Sequence, residues 1–371
     1  MYFEIAKKDL LTPLKMITSV VEQRQTLPIL ANTLVTVANN SLQLTATDAE
    51  VEISCSLPLT NGDLIADKDG ETTIPARKFF DICKSLPDIN IQVTVEENQA
   101  IIKAGKSKFK LQTLPADEFP SSPELAETRE FIIAPQDLKD LIYKTSFCIA
   151  TNDVRYYLTG LLLEIADKKI SLVGTDGHRM AVAQIDLDHD KELSHKVIIP
   201  RKAVIELSKL LKDGDADVQI LMDDNHISFK LNENLIMTSK LIDGSFPEWQ
   251  NVLPSDTDKI VIADTKLLKQ SLSRASILSN EKFKGIRLNL SNNLLTLSAK
   301  NTSQEEAEEI IEVEYSGEEL EIGFNGSYLL DTLNVISTSM TQLAFGDTNS
   351  SCLITEEDNE DYKFIVMPMR L

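Results

Sequence analysis

The sequence predicts an α+β chain of three similar domains, each with two helices and about eight strands. Three recurring sets of segments carry that expectation. The first pairs two strands around a polar turn, with Leu30 opening LANTLVTVANNSLQLTATDAEVEI, Leu158 opening LTGLLLEIADKKISLVGTDGHRMAV and Phe283 opening FKGIRLNLSNNLLTLSAKNTSQEEAEEI, at offsets of 128 and 125 residues. The turns are Ala38-Asn39-Asn40, Ala166-Asp167-Lys168 and Ser291-Asn292-Asn293, each followed by a second alternating strand and a polar corner.

The second set is helical: IPARKFFDICKSL from Ile74, IPRKAVIELSKLL from Ile199 and FNGSYLLDTLNVI from Phe324. Phe79, Phe80, Ile82, Cys83 and Leu86 recur at the spacing of one helix face, as do Val204, Ile205, Leu207, Leu210 and Leu211. Pro75 and Pro200 stand where strand gives way to helix, a place where a missing N–H is tolerated. The third set, LLTPLKMITSVVE from Leu10, DLKDLIYKTSFCIA from Asp137 and LLKQSLSRASILS from Leu267, is also amphipathic. Domain ends rhyme as well, at KLQTLPADEFP and TSKLIDGSFP. The period far exceeds that of a solenoid repeat, so the expected domains are 1–125, 126–250 and 251–371, each with its own core.

At 371 residues the chain is long enough for several cores. No window holds the apolar run of a signal peptide or membrane span. Cys55, Cys83, Cys148 and Cys352 are far apart and form no C-x-x-C, which points to buried thiols in a reducing cytoplasm.

The formal charge of −21 alone argues against nucleic acid, yet the charge is segregated. The six expected helices (7–24, 75–87, 137–150, 200–212, 265–278 and 326–338) hold 16 basic residues, well in excess of their acidic ones. The rest of the chain carries the whole negative balance, so one basic surface for a polyanion is expected, alongside the plainer reading of a solvated helix face.

One cluster resembles an active site: Asp176, His178 and Arg179 lie within four residues of one another. His178 has no Ser-centred elbow, no H-x-x-x-H and no cysteine pair nearby, and His189, His195 and His226 stand alone. MDDNH at Met222 reads as a hairpin turn more simply than as a metal site. Neither catalysis, cofactor nor metal is expected.

TLPIL at Thr26, PARKFFDICKSLP at Pro75, DVRYYLTG at Asp153, TDGHRMAV at Thr175, SNEKFKGIRL at Ser279, EEAEEI at Glu305, IGFN at Ile322 and the terminal VMPMRL at Val366 occur in order along the chain. Together they closely resemble the bacterial beta sliding clamps, the family of DNA polymerase III beta subunits. That resemblance implies the DNA clamp fold, a head-to-tail homodimeric ring around duplex DNA, and a processivity role without catalysis. It implies that Arg24, Arg77, Asn152, Tyr156 and Tyr157 touch DNA, Asn152 replacing the Gln of close relatives. Both tyrosines also suit core or interface packing.

Ring closure is implied for Lys106, Lys108 and Phe109 on one edge, against Ile277, Leu278, Glu305, Glu306, Glu308 and Glu309 on the other. Opposite charges on the two edges fit such a contact. The resemblance also implies a pocket for short peptides from DNA polymerases, the clamp loader and other DNA-handling proteins. Its residues are Leu158, Thr175, Gly177, His178, Arg179, Met180, Pro247, Val252, Ser351, Ile365, Met367, Pro368, Met369, Arg370 and Leu371. Met180 stands where close relatives carry Leu, and Asn251 where they carry Arg.

Overall fold

Asn39 and Asn40 have φ of 51° and 57°, and Asp167 and Lys168 have φ of 51° and 60°. Positive φ at both central residues marks the primed two-residue hairpin, whose twist matches that of its strands. The computed structural model that holds them describes residues 1–22, 27–58, 69–120, 125, 128–187, 194–212, 214 and 216–370.

The first repeat runs β1 (Tyr2–Ala6), α1 (Lys7–Thr18), β2 (Asn32–Ala38), β3 (Ser41–Thr47), β4 (Val51–Pro58), β5 (Gly70–Pro75), α2 (Ala76–Ser85), β6 (Asn90–Glu96), β7 (Gln99–Ala104) and β8 (Ser107–Gln112). The second runs β9 (Arg129–Ile133), α3 (Pro135–Thr145), β10 (Gly160–Ala166), β11 (Lys169–Thr175), β12 (Arg179–Asp186), β13 (His195–Pro200), α4 (Arg201–Leu210), β14 (Val218–Met222), β15 (His226–Asn232) and β16 (Leu235–Lys240). The third runs β17 (Lys259–Asp264), α5 (Thr265–Ala275), β18 (Gly285–Ser291), β19 (Leu294–Lys300), β20 (Glu306–Glu312), β21 (Leu320–Asn325), α6 (Gly326–Val335), β22 (Met340–Phe345), β23 (Cys352–Glu356) and β24 (Asn359–Val366). The helices overlap the expected spans but are shorter. α1 closes at Thr18, short of the expected residue 24, where the Ser19 N–H and hydroxyl both turn back to the Met16 carbonyl.

The chain forms two compact units, Met1–Leu138 with Lys202–Leu241, and Lys139–Arg201 with Ile242–Leu371. In the first, a four-stranded sheet runs β1-β6-β7-β8 and an eight-stranded one runs β5-β2-β3-β4-β16-β15-β14-β9. β4 and β16, from different repeats, pair antiparallel with Cys55 opposite Leu235 and Val51 opposite Ser239. α1 packs on α2, β3 and β4, burying Leu10, Leu14 and Ile17, while α2 buries Phe79 and Cys83 and leaves Arg77 and Lys78 exposed.

The second unit has the same design. Its four-stranded sheet runs β20-β19-β18-β21, and its eight-stranded sheet runs β13-β10-β11-β12-β24-β23-β22-β17. Here β12 meets β24, with Met180 opposite Ile365. α5 packs on α6 and β20 over a core that includes Leu268, Leu272, Ile286, Leu288 and Phe324.

One of the helix cations belongs to this core and not to the surface. Lys144 at the end of α3 is 5% exposed and pairs with Glu356, itself 4% exposed. Its ammonium also donates to the Val335 carbonyl (2.7 Å) and Ser337 Oγ (2.8 Å), and lies 4.7 Å from the centre of the Tyr362 ring. The charge surplus available on helix faces is correspondingly smaller than the sequence count.

Candidate functional site

The corner between β11 and β12 explains the Asp-His-Arg cluster. Asp176 Oδ1 accepts the N–H groups of His178 (2.9 Å) and Arg179 (3.1 Å). Asp48 does the same for Glu50 and Val51 in the first repeat, and Asn301 for Ser303 and Glu305 in the third. A carboxylate that closes a turn in one repeat and is matched by an amide in another is a structural acceptor.

Arg179 is equally occupied. Nε donates to Asp176 (3.0 Å), Nη1 to Asp331 (2.6 Å) and Nη2 to the Phe147 carbonyl (3.1 Å), while its guanidinium lies 4.5 Å from the Tyr328 ring centre. His178 stacks against the same ring at 6.4 Å. MDDNH is a hairpin: Asp223 Oδ1 accepts from the N–H groups of Asn225 and His226. Among the described residues no three His, Cys, Asp or Glu side chains gather as a metal site would need.

Next to this corner is an apolar cavity of about 130 Å³. Pairing of β12 with β24 brings Met180 and Ile365 together, and the segment after β16 folds over them. Trp249 is buried there, its indole N–H donating to Glu164 Oε2 at 2.6 Å, with Phe246 and Val252 packed alongside. The wall comprises Leu158, Thr175, Gly177, Arg179, Met180, Pro247, Val252, Ile365 and Met367 from the expected set, together with Arg155, Tyr157, Phe246 and Trp249. The Met367 N–H holds the tail in place through the His178 carbonyl at 2.9 Å.

His178, Ser351 and Pro368 lie outside this wall, and Met369 and Arg370 line a different opening; Leu371 lies outside the described residues. The aromatic pair in FPEW was the available signal for Phe246 and Trp249, which the sequence reading did not use.

Arg155 guards the rim. Nε and Nη2 grip Asp153 at 3.1 and 2.8 Å, and Nη2 also reaches the Asp176 carbonyl at 3.1 Å. The hydrogen-bonded Arg155 side chain holds the Asp153 carboxyl down at about 2. Gly177 has φ of +86°, a backbone conformation that favours glycine, and a Cβ there would stand 2.8 Å from Arg155 Nη1 and push that guanidinium aside.

Asn152, at φ 56°, and Tyr156, 58% exposed, share this loop with Arg155. Tyr157, also expected at DNA, is part of the cavity wall. Arg77 is exposed on α2 in the other unit and donates to the Val21 carbonyl at 2.5 Å; Arg24 lies outside the described residues.

The larger opening, about 770 Å³, lies on the β18-β19-β20 face. Arg287, Ser298, Glu306 and Glu308 line it, at the sheet positions that Leu162, Val173, Met180 and Val182 occupy in the second repeat. Polar residues there make it a solvated sheet face, whereas the smaller apolar cavity has the character of a ligand pocket.

The two four-stranded sheets end on β8 and β20. β8 exposes Lys108 and Lys110 around a half-buried Phe109, close to exposed Lys106. Near β20, Ile277 is 76% exposed and Leu278 half-buried. Glu306 and Glu309 are held by Lys300 and Arg274, both at 2.5 Å, and Glu305 by the Asn301 amide at 2.5 Å.

Comparison with known proteins decides the family. Profiles described as the N-terminal, central and C-terminal domains of the DNA polymerase III beta subunit match residues 1–123, 132–248 and 250–370. The chain belongs to the DNA polymerase III beta subunit family. The beta sliding clamp of Pseudomonas aeruginosa is 48% identical over the full length of both chains. Its crystal structure superposes with a TM-score of 0.97, again over both whole chains at 48% identity. A crystal structure of a sliding clamp from the same organism bound to griselimycin matches at 0.96, with 48% identity and full coverage of both chains. The expected α+β fold of three clamp domains, with two helices and eight strands each, is thus the fold of this sliding-clamp family.

Proposed function

We propose that two copies of this chain close head to tail around duplex DNA as a sliding clamp without catalytic activity. The apolar cavity then tethers polymerases, the clamp loader and other DNA-handling proteins by short peptides, in the reducing cytoplasm where four buried free thiols are at home. One observation carries the reading: within each unit a four-stranded half-sheet of one repeat is continued by a half-sheet of another, β4 to β16 and β12 to β24. In the internal repeat, β20 corresponds to β4 and β12, and β8 to β16 and β24, and these two end the remaining sheets. Pairing of β20 with β8 of a second copy is the one continuation that repeats the same junction, and an identical contact in return closes the assembly.

Retention by enclosure needs only weak, exchangeable phosphate contacts, and sequence-specific grip would oppose sliding. Exposed Lys8, Lys15, Arg77 and Lys78 on α1 and α2 suit that role. The cavity reading is supported by the griselimycin complex of the relative and by Met180 and Met367, whose unbranched side chains repack around different anchors. Removal of residues 367–371 tests it. Griselimycin binding should be lost in calorimetric titration while sedimentation still shows a dimer; retained binding contradicts the assignment.

A further inference from the structure

We propose that Arg155 is a switch shared by the cavity and the loop of residues 151–157, so that filling the cavity releases a cation to the duplex. This rests on the reading just given, in which the cavity takes a peptide-like ligand, and on the DNA contacts expected of Asn152, Tyr156 and Tyr157 in this loop. A cavity of about 130 Å³ is smaller than the ~300–1,000 Å³ of pockets that enclose drug-sized ligands, so a ligand of that size extends over the rim that Arg155 helps to form.

Arg179 is not that part: its side chain is 12% exposed and held by Asp176, Asp331 and the Phe147 carbonyl. Arg155 is 44% exposed, and one bond to the Asp176 carbonyl keeps its guanidinium across Gly177 at the mouth. Its other partner, Asp153, sits two residues away in the loop, beside Asn152 and Tyr156.

The loop itself is firmly placed. Tyr157 lines the cavity, Tyr156 packs edge-on against it at 6.0 Å, and a Cβ on Gly244 would meet Tyr157 Cβ at 3.2 Å. A ligand seated against Gly177 therefore displaces one guanidinium and little else. Once turned outward, that guanidinium faces a choice between Asp153 and a phosphate, and a duplex supplies many phosphates. The two ligands then favour each other, by the same factor in both directions.

The test uses the full-length protein, a labelled duplex oligonucleotide and griselimycin. Duplex affinity is measured across a salt series with and without saturating griselimycin. One added phosphate contact should steepen the slope of log K against log salt by about 0.9. The steepening should vanish in Arg155→Ala and persist in Arg155→Lys. An unchanged slope in the wild type, or equal steepening in Arg155→Ala, overturns the switch. Absence of griselimycin or duplex binding to the wild type is a separate result, which overturns the underlying reading before any coupling is measured.

Discussion

Met180 of β12 stands directly opposite Ile365 of β24, so one register position both joins the second and third repeats and builds the floor of the cavity. Leu235 and Cys55 hold the corresponding junction of the first and second repeats.

If a second copy continues the remaining sheets in the same way, Phe109 and Ile277 are buried on assembly. Ile277 is 76% exposed in the single chain, and burying such a side chain is worth about 1.5–3 kcal/mol. Ile277→Ala or Phe109→Ala should weaken the dimer by roughly ten- to a hundredfold and bring monomer into sedimentation profiles at submicromolar concentration. An unchanged dimer contradicts the interface.

The buried pair of Lys144 and Glu356 gives a stability prediction. Lys144→Ala leaves Glu356 without its cation in a site 4% exposed, and such one-sided losses cost about 3–5 kcal/mol. Calorimetry should show a markedly lower Tm, with Lys144→Met combined with Glu356→Leu recovering most of it. A Tm unchanged in Lys144→Ala contradicts the contribution assigned to the pair.

Trp249 is the only tryptophan in the sequence and lines the cavity. Griselimycin should change its emission saturably, and Met367→Ala should move the midpoint to higher concentration. Trp249→Phe removes the indole N–H from buried Glu164, at a cost of about 1–3 kcal/mol. A titration with no spectral change contradicts placement of the ligand beside Trp249.

Burial pushes the Cys55 thiol up to about 11 and Cys83 up to about 12, and raises Cys148 and Cys352 further. Thiols of the unfolded chain ionise near ~8.5. Above that pH the unfolded chain loses protons that the folded chain retains, so the thiols' contribution to stability is full below ~8.5 and is lost as pH rises from there through about 11 to 12. A thiol reagent at pH 8 should find none of the 4 cysteines in the native protein and all of them after denaturation. Rapid labelling of the native chain contradicts the burial.

The repeat was legible because its turns carry their own chemistry: Asn39-Asn40 and Asp167-Lys168 accept positive φ in situ. The helices were legible from apolar spacing, their ends less so, since hydrogen bonds at Thr18 and Ser19 decide where α1 stops. The sheet junctions left no local trace, because antiparallel edge pairing of β4 with β16 is settled by tertiary geometry. For the same reason Arg155, Tyr157, Phe246 and Trp249 escaped notice as cavity walls, and Lys144 passed for a surface cation. The Asp-His-Arg cluster suggested chemistry by proximity alone; its side chains are committed to a turn, two ion pairs and a ring stack.

Enclosure of DNA is tested most directly by topology. Loaded by a clamp loader onto a nicked circular plasmid, the protein should co-elute with the DNA in gel filtration and be lost when the plasmid is cut once. Retention on the linear plasmid equal to that on the circle would mean that the chain grips DNA instead of encircling it, and would contradict the account.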